Sequence, residues 1–246
     1  MREFSVWRDP FGEGFNLCRR KTIEIKEGLT VLVGCNGAGK TTLLDNIEQD
    51  LKKDKIPCVA IHTNDMNMSD KFSELLWQGG DNINIIAQSV TSSEGENISL
   101  RLRLLVSKLA EFIRTGEYDD GSLANKLLKS MQEDKDSENQ YSDERWILLD
   151  STDSGYSIDN IIELKSVFDI IIDDAIRNCK QLYIVVTANE YEMASQEECF
   201  DVNEGKYVKF DDYNVYKKFI LKSRAKKDKR IQKLNEKKAK RIAADE

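Results

Sequence analysis

The residues best suited to chemistry form a glycine-rich segment, Gly34-Cys35-Asn36-Gly37-Ala38-Gly39-Lys40-Thr41. It matches the pattern G-x-x-x-x-G-K-[ST], which binds phosphate when it joins a buried strand to a helix. Glycines let backbone N–H groups wrap around phosphate oxygens, and the helix N-terminus adds a favourable dipole. Lys40 would reach the β- and γ-phosphates, and the Thr41 hydroxyl would bind Mg²⁺. The predicted nucleotide-binding residues of this loop are Gly34, Asn36, Gly37, Ala38, Gly39, Lys40, Thr41 and Thr42.

A second candidate residue, Asp150, ends the apolar segment 146–149. An acidic residue at this place can hold Mg²⁺ through the water shell of the ion, opposite Thr41. The alternative is a strand-ending aspartate that caps a turn. The phosphate loop favours the first interpretation, so the sequence predicts a metal site formed by Thr41 and Asp150.

Strands must bring these residues together, and the chain contains several candidates. Continuous apolar runs are typical of strands buried on both faces, and they occur at 29–34, 57–62, 146–150 and 182–187. Shorter candidates are two N-terminal strands and a hairpin around Asn203-Glu204-Gly205, at 3–7, 21–25, 199–202 and 206–210.

Helices are predicted between these strands. The patterns cover 40–52, 96–114, 123–131, 160–178 and a basic segment from Tyr213 onwards. Alternation of buried strands with amphipathic helices predicts an α/β fold with a mostly parallel central sheet. N-terminal antiparallel strands and a C-terminal basic helix complete the prediction.

The composition excludes several other classes of protein. No run of 18 apolar residues exists, which excludes a membrane-spanning helix, and the N-terminus lacks the apolar core of a secretion signal. The five cysteines are scattered without a C-x-x-C pair, so neither a disulfide framework nor a zinc site is indicated. A single histidine disfavours a histidine-based catalytic centre. We therefore expect a cytoplasmic protein without membrane contact.

Charge divides the chain into an acidic body and a basic tail. Residues 217–246 hold 13 Lys and Arg against four Asp and Glu, while the remainder holds 24 basic and 40 acidic residues. We predict a head over 1–212 and a helical tail over 213–246. Such a tail suits nucleic-acid phosphates, an acidic protein partner, simple exposure to solvent, or docking on the acidic body of the chain itself.

The order of the motifs resembles that of ATP-binding cassette (ABC-type) ATPases over about residues 20–210. The resemblance rests on KTIEIKEGLTVLVGCNGAGKTTLL at 21–44, SSEGE at 92–96, ILLDSTDSG at 147–155, VVTANEYEMA at 185–194 and the closing hairpin. Within that class the chain is most similar to soluble heads of DNA-repair and chromosome-maintenance proteins, and to small phage-type ATPases. The resemblance implies a P-loop NTPase fold, ATP and Mg²⁺ as ligands, and a homodimer that closes on ATP.

The resemblance also assigns residues beyond the phosphate loop. Ser93 and the amide of Gly95 would contact the γ-phosphate bound on the opposite subunit, and the adjacent Glu96 is a further candidate nucleotide-binding residue. Ser93 and Glu96 also fit an ordinary helix capping box. Asn64 occupies the place of the glutamine that binds magnesium and water, with Gln88 as a rival and ordinary loop amides as the alternative.

Two departures from the family bear on hydrolysis. Ser151 occupies the place of the catalytic glutamate, and Ala188 that of the switch histidine. Loss of a general base costs about 10²–10⁴ in rate. Asp153 and Glu190 are candidate replacement bases, so the catalytic candidates are Ser151, Asp153 and Glu190.

These observations predict an ATP-binding, ABC-type ATPase that dimerises on ATP, hydrolyses it slowly and acts in DNA-related processes. The alternatives are a nucleotide-gated protein-interaction switch with little hydrolysis and, less favoured, a transporter subunit.

Overall fold

A computed structural model describes residues 1–8, 18–62, 106–118, 142–154 and 156–245. Over these residues the strands are β1 (Arg2–Ser5), β2 (Thr22–Ile25), β3 (Gly28–Val33), β4 (Cys58–His62), β5 (Glu144–Asp150), β6 (Gln181–Thr187), β7 (Cys199–Asp201) and β8 (Lys206–Val208). The helices are α1 (Lys40–Lys53), α2 (106–115), α3 (Ile158–Arg177), α4 (Tyr191–Ala194) and α5 (Tyr213–Asp245).

Six of these strands form one mostly parallel sheet in the order β4-β5-β6-β3-β7-β8. All neighbouring pairs are parallel except β7 and β8, which form the predicted antiparallel hairpin. Strands β1 and β2 form a separate antiparallel pair. The predicted α/β class, the mostly parallel sheet and the N-terminal antiparallel strands are therefore confirmed.

The parallel register brings the carboxyl ends of three strands to one edge of the sheet. Leu149 of β5 pairs with Val186 of β6, which pairs in turn with Val31 of β3. Asp150 and Thr187, the last residues of β5 and β6, therefore lie close to Gly34, which directly follows β3. Ligand sites of open parallel sheets form at this edge.

Alternate side chains of the central strands enter two separate cores. On one face Ile147, Leu149, Ile184 and Val186 pack with helices α2 and α3. On the other face the intervening residues pack with α1 and the N-terminal strands, namely Trp146, Leu148, Tyr183 and Val185. Burial on both faces explains the continuous apolar runs of the sequence.

The N-terminal pair closes the second core through aromatic contacts. The rings of Trp146 and Tyr183 stack at 4.2 Å, and Phe4 of β1 meets Trp146 edge to face at 5.2 Å. The Phe4 side chain is buried, so strand β1 covers apolar surface on the sheet.

Helix α5 begins at Tyr213, where the sequence predicts it. The sequence also predicts an exposed helix, but part of its first half is buried. Tyr216 and Ser223 are buried, and Tyr216 packs on Phe210 with ring centroids 5.1 Å apart. Abundant lysines conceal these contact residues in the sequence pattern. The start of the tail is therefore anchored on the head.

Tyr216 provides a test of this anchor. Tyr216→Ala removes an aromatic side chain that is only 5% exposed, and loss of such a side chain costs roughly 3 kcal/mol. We expect the free energy of unfolding, measured by urea titration, to fall by about that amount. Tyr213→Ala, at a position 54% exposed, is the control and should cost less than about 1 kcal/mol. Equal losses in the two variants would contradict the anchor.

Candidate functional site

The glycine-rich loop joins β3 to α1, as the sequence predicts. Gly37 has φ 71° and Gly39 has φ 97°, in the left-handed region that residues with a Cβ rarely adopt. Gly39 is also the residue that precedes the first turn of α1. The two glycines thus allow the chain to turn back and enter the helix within a few residues.

The loop and the first turn of α1 present backbone N–H groups. The Ala38 amide donates to the Cys35 carbonyl at 2.9 Å. Among the described residues, no acceptor takes the amides of Gly37, Gly39, Lys40 or Thr41. The first turn of α1 also contains no acidic residue that would repel an anion. This arrangement fits phosphate oxygens, because helix N-termini favour negative charge.

Lys40 lies buried at the base of this loop. Its Nζ donates a hydrogen bond to the Gly34 carbonyl at 3.0 Å. Burial lowers the pKa of the Lys40 ammonium, and the charge of Asp153 acts in the opposite direction. A phosphate group would supply the nearby negative charge that favours the protonated form.

Asp150 and Thr41 meet at the carboxyl edge of the sheet. The Thr41 hydroxyl donates to both Asp150 carboxylate oxygens, at 3.2 and 3.0 Å. The two predicted metal residues are thus adjacent. They offer one hydroxyl and one carboxylate, both hard oxygen donors of the kind Mg²⁺ takes.

Thr41 and Asp150 fit a magnesium ion whose other ligands are water molecules and substrate phosphates. Among the described residues, no group of three or more His, Cys, Asp or Glu side chains is placed to hold a metal. Mg²⁺ is usually bound through one or two protein groups together with substrate phosphates and water. Thr41 and Asp150 would supply two oxygen ligands to such an ion.

Thr187 is a site residue that the sequence reasoning missed. Its hydroxyl donates to Asp150 Oδ1 at 2.8 Å and accepts the Ser151 amide at 2.6 Å. The side chain is fully buried at the end of β6, between β5 and β3. The available signal was its position, the last residue of an apolar strand that runs beside the Asp150 strand.

Ser151 directly follows Asp150 and adopts φ 54°. Its hydroxyl donates to Asp150 Oδ1 at 3.4 Å. A serine hydroxyl is a poor proton acceptor at neutral pH, so this side chain does not replace a carboxylate base.

Asp153, one of the proposed bases, connects two loops of the site. Its Oδ2 accepts the backbone amides of Asn189 at 2.7 Å and Glu190 at 2.8 Å. The side chain is fully buried, and burial raises the pKa of this carboxyl group while the amides act in the opposite direction. The geometry thus assigns Asp153 a positioning role for the segment after β6.

Glu190, the other proposed base, is exposed and directly precedes α4. Ala188, at the position of the switch histidine, is buried, and its amide donates to the Leu32 carbonyl at 3.0 Å. The remaining predicted residues lie outside the described part of the chain: Asn64, Gln88, Ser93, Gly95 and Glu96.

Helix α5 contacts the glycine-rich loop directly. The Ser223 hydroxyl accepts the Cys35 amide at 3.2 Å, and Lys227 Nζ donates to the Asn36 carbonyl at 2.8 Å. Asn203, in the β7–β8 turn, donates its side-chain amide to the same Ser223 hydroxyl at 3.1 Å. The predicted tail is thus also part of the wall of the candidate site.

Comparisons with known proteins give no match, either to a protein-family model or to a curated protein. Within the described residues, no helix is both long enough and apolar enough to cross a membrane.

Proposed function

We propose that this protein binds ATP with Mg²⁺ at the loop between β3 and α1 and hydrolyses it slowly. One observation supports this most strongly: Lys40 is buried beside the Thr41–Asp150 pair, and the amides of Gly37, Gly39, Lys40 and Thr41 have no acceptor among the described residues. A triphosphate supplies oxygens for the loop amides and Lys40, and Mg²⁺ held by Thr41 and Asp150 would neutralise developing charge on the phosphates.

Each residue has a defined task in this proposal. The loop amides and Lys40 bind the phosphates, while Thr41 and Asp150 orient the magnesium ion. Thr187 holds the Asp150 carboxylate in place through its 2.8 Å hydrogen bond. Asp153 holds the loop after β6, which lies beside the same sheet edge.

Slow turnover follows from the groups next to Asp150. Ser151 lacks a carboxylate, Asp153 already accepts backbone amides, and Glu190 is exposed. Neither Ser151 nor Asp153 is therefore an effective general base in this arrangement, which leaves Glu190 as the remaining candidate. The same observation favours the second candidate, a nucleotide-gated protein-interaction switch with little or no hydrolysis.

The ABC-type assignment and the ATP-dependent homodimer rest on the motif order. Two exposed isoleucines at the start of α3 support contact with a second copy of the chain. Ile158 and Ile162 lie one turn apart and are 56% and 58% exposed. They follow the loop that leaves Asp150, which the resemblance makes a dimer-facing loop. Burial against another subunit would remove this apolar surface from water.

The DNA-related role rests on the basic composition of the tail. Lysines spaced along a helix suit the phosphate backbone rather than particular bases. An acidic protein partner satisfies the same charges.

Lys40→Met tests nucleotide binding. Loss of the ammonium removes a charge-assisted phosphate contact, so we expect the affinity for MgATP, measured by calorimetry, to fall at least about tenfold. Lys53→Met removes an exposed lysine at the other end of α1 and should bind as the unmodified protein does. Unchanged affinity in Lys40→Met, or no binding by the unmodified protein, would contradict the proposed function.

Ser151→Glu tests the reason for slow turnover. A carboxylate beside Asp150 restores a general base, so we expect phosphate release to rise by up to about 10²–10⁴-fold. Ser151→Ala is the control, which should retain the slow rate. Equal and brisk hydrolysis by the unmodified protein and Ser151→Glu would remove the argument.

Ile162→Lys tests the dimer. We expect light scattering to detect a dimer of the unmodified protein with ATP and Mg²⁺ and a monomer without them. Ile162→Lys should stay monomeric, because a lysine ammonium is costly to bury. Ile176→Lys changes an isoleucine 64% exposed at the far end of α3 and should still dimerise. A monomer under all conditions would exclude this mechanism while leaving nucleotide binding intact.

Salt dependence tests the DNA-related role. Each phosphate contact contributes a slope of about −0.9 to the plot of log affinity against log salt concentration. Replacement of Lys237, Lys238, Lys240 and Arg241 by Gln should weaken binding of duplex DNA and make that slope shallower. Absence of DNA binding at low salt would favour the protein-interaction alternative.

A further inference from the structure

We propose that Lys227 of α5 is a second phosphate-binding lysine of the nucleotide site. This inference rests on the proposed function and extends it, since the sequence motif assigns only Lys40 to the phosphates. It makes the C-terminal helix a contributor to ATP binding rather than a separate appendage.

The position of the Lys227 ammonium carries the inference. Lys227 Nζ lies 2.8 Å from the Asn36 carbonyl oxygen, at the turn of the phosphate loop. A Cβ placed on Gly37 would lie only 2.6 Å from the same Nζ. The ammonium therefore occupies space that opens because residue 37 is a glycine, directly against the backbone that would surround a phosphate.

Neighbouring contacts hold α5 in this place. One turn before Lys227, the buried Ser223 hydroxyl accepts the Cys35 amide and the Asn203 side chain. The adjacent Lys226 forms an ion pair with Glu204 of the β7–β8 turn. The helix that carries Lys227 is thus fixed by a hydrogen bond to the loop and by a hydrogen bond and an ion pair to the hairpin.

The chemistry of the ammonium group matches that of a phosphate. An ammonium has three N–H donors, and the Asn36 carbonyl takes one of them. Among the described residues, no carboxylate forms a salt bridge with Lys227, whereas Lys226 has one with Glu204. Its positive charge thus remains available to a phosphate oxygen, to which it would form a shorter and stronger hydrogen bond.

The two lysines approach the loop from different parts of the chain. Lys40 comes from α1 and donates to Gly34 at the beginning of the loop, whereas Lys227 comes from α5 and donates to Asn36. A phosphate chain enclosed by the loop would be neutralised from both positions. The additional cation lies where the loop residues are exposed, which is the side from which a nucleotide would enter.

Lys227→Met tests the inference, with Lys229→Met as the matched control. Both variants remove one lysine charge from the same helix, but Lys229 is exposed and lies beyond the contacts with the loop. We expect calorimetry to show at least about tenfold weaker MgATP binding for Lys227→Met and less than about twofold for Lys229→Met. Lys227→Arg retains the charge and should recover most of the affinity.

The results separate this inference from the proposed function. If Lys40→Met loses MgATP binding while Lys227→Met binds as the unmodified protein does, only the role of Lys227 is overturned. Tighter binding by Lys227→Met would also overturn it, because the lysine would then block the loop. No binding by the unmodified protein would overturn the proposed function itself.

Amine labelling of the unmodified protein tests the role of Lys227 without depending on the folding of a variant. Labelling with an amine-reactive reagent, followed by mass spectrometry, compares Lys227 with Lys229 in the same sample. Saturating MgATP should protect Lys227 several-fold and leave Lys229 unchanged. Equal labelling of Lys227 with and without nucleotide would contradict the inference.

Discussion

Backbone hydrogen bonds between β5, β6 and β3 hold three strand ends at the same level, and the candidate site depends on that alignment. The strands run parallel in this order, so Asp150, Thr187 and the start of the glycine-rich loop lie side by side at the carboxyl edge of the sheet. A shift of one residue in the register would turn each side chain to the opposite face. A slip of β5 against β6 would turn Trp146 away from the Tyr183 ring on which it stacks, so the specific packing of the two cores opposes it.

The periodicity of the sequence predicts most elements of this sheet because each signal is local. Strands β3, β4, β5 and β6 lie within a few residues of the apolar runs, and α1 begins at Lys40 as expected. The glycine pattern likewise predicts a loop whose φ angles at Gly37 and Gly39 require glycine. Local sequence does not specify which strands are neighbours, so the place of β6 between β5 and β3 was not predicted. The role of Thr187 depends on that place, which is why it was missed.

Long-range contacts also explain the other differences. Asp153 reads as a candidate base from its distance to Asp150 in sequence, yet its carboxylate is taken by amides of the loop after β6. In α5, lysines dominate the composition, while the docking uses the buried Tyr216 ring and the hydroxyl groups of Tyr216 and Ser223. These hydroxyls contact the Asn189 carbonyl and the Cys35 amide, at 3.3 and 3.2 Å. One helix thus contacts both the phosphate loop and the segment that Asp153 holds.

The continuity of α5 has a geometric consequence for signalling along the chain. The helix runs without interruption from its loop contact at Lys227 to Asp245, which at 1.5 Å per residue is about 27 Å. A contact made only at the last turn of α5 would therefore lie about that far from Lys227. A small tilt of α5 about its contacts at Ser223 would move the far end of the helix through a larger distance.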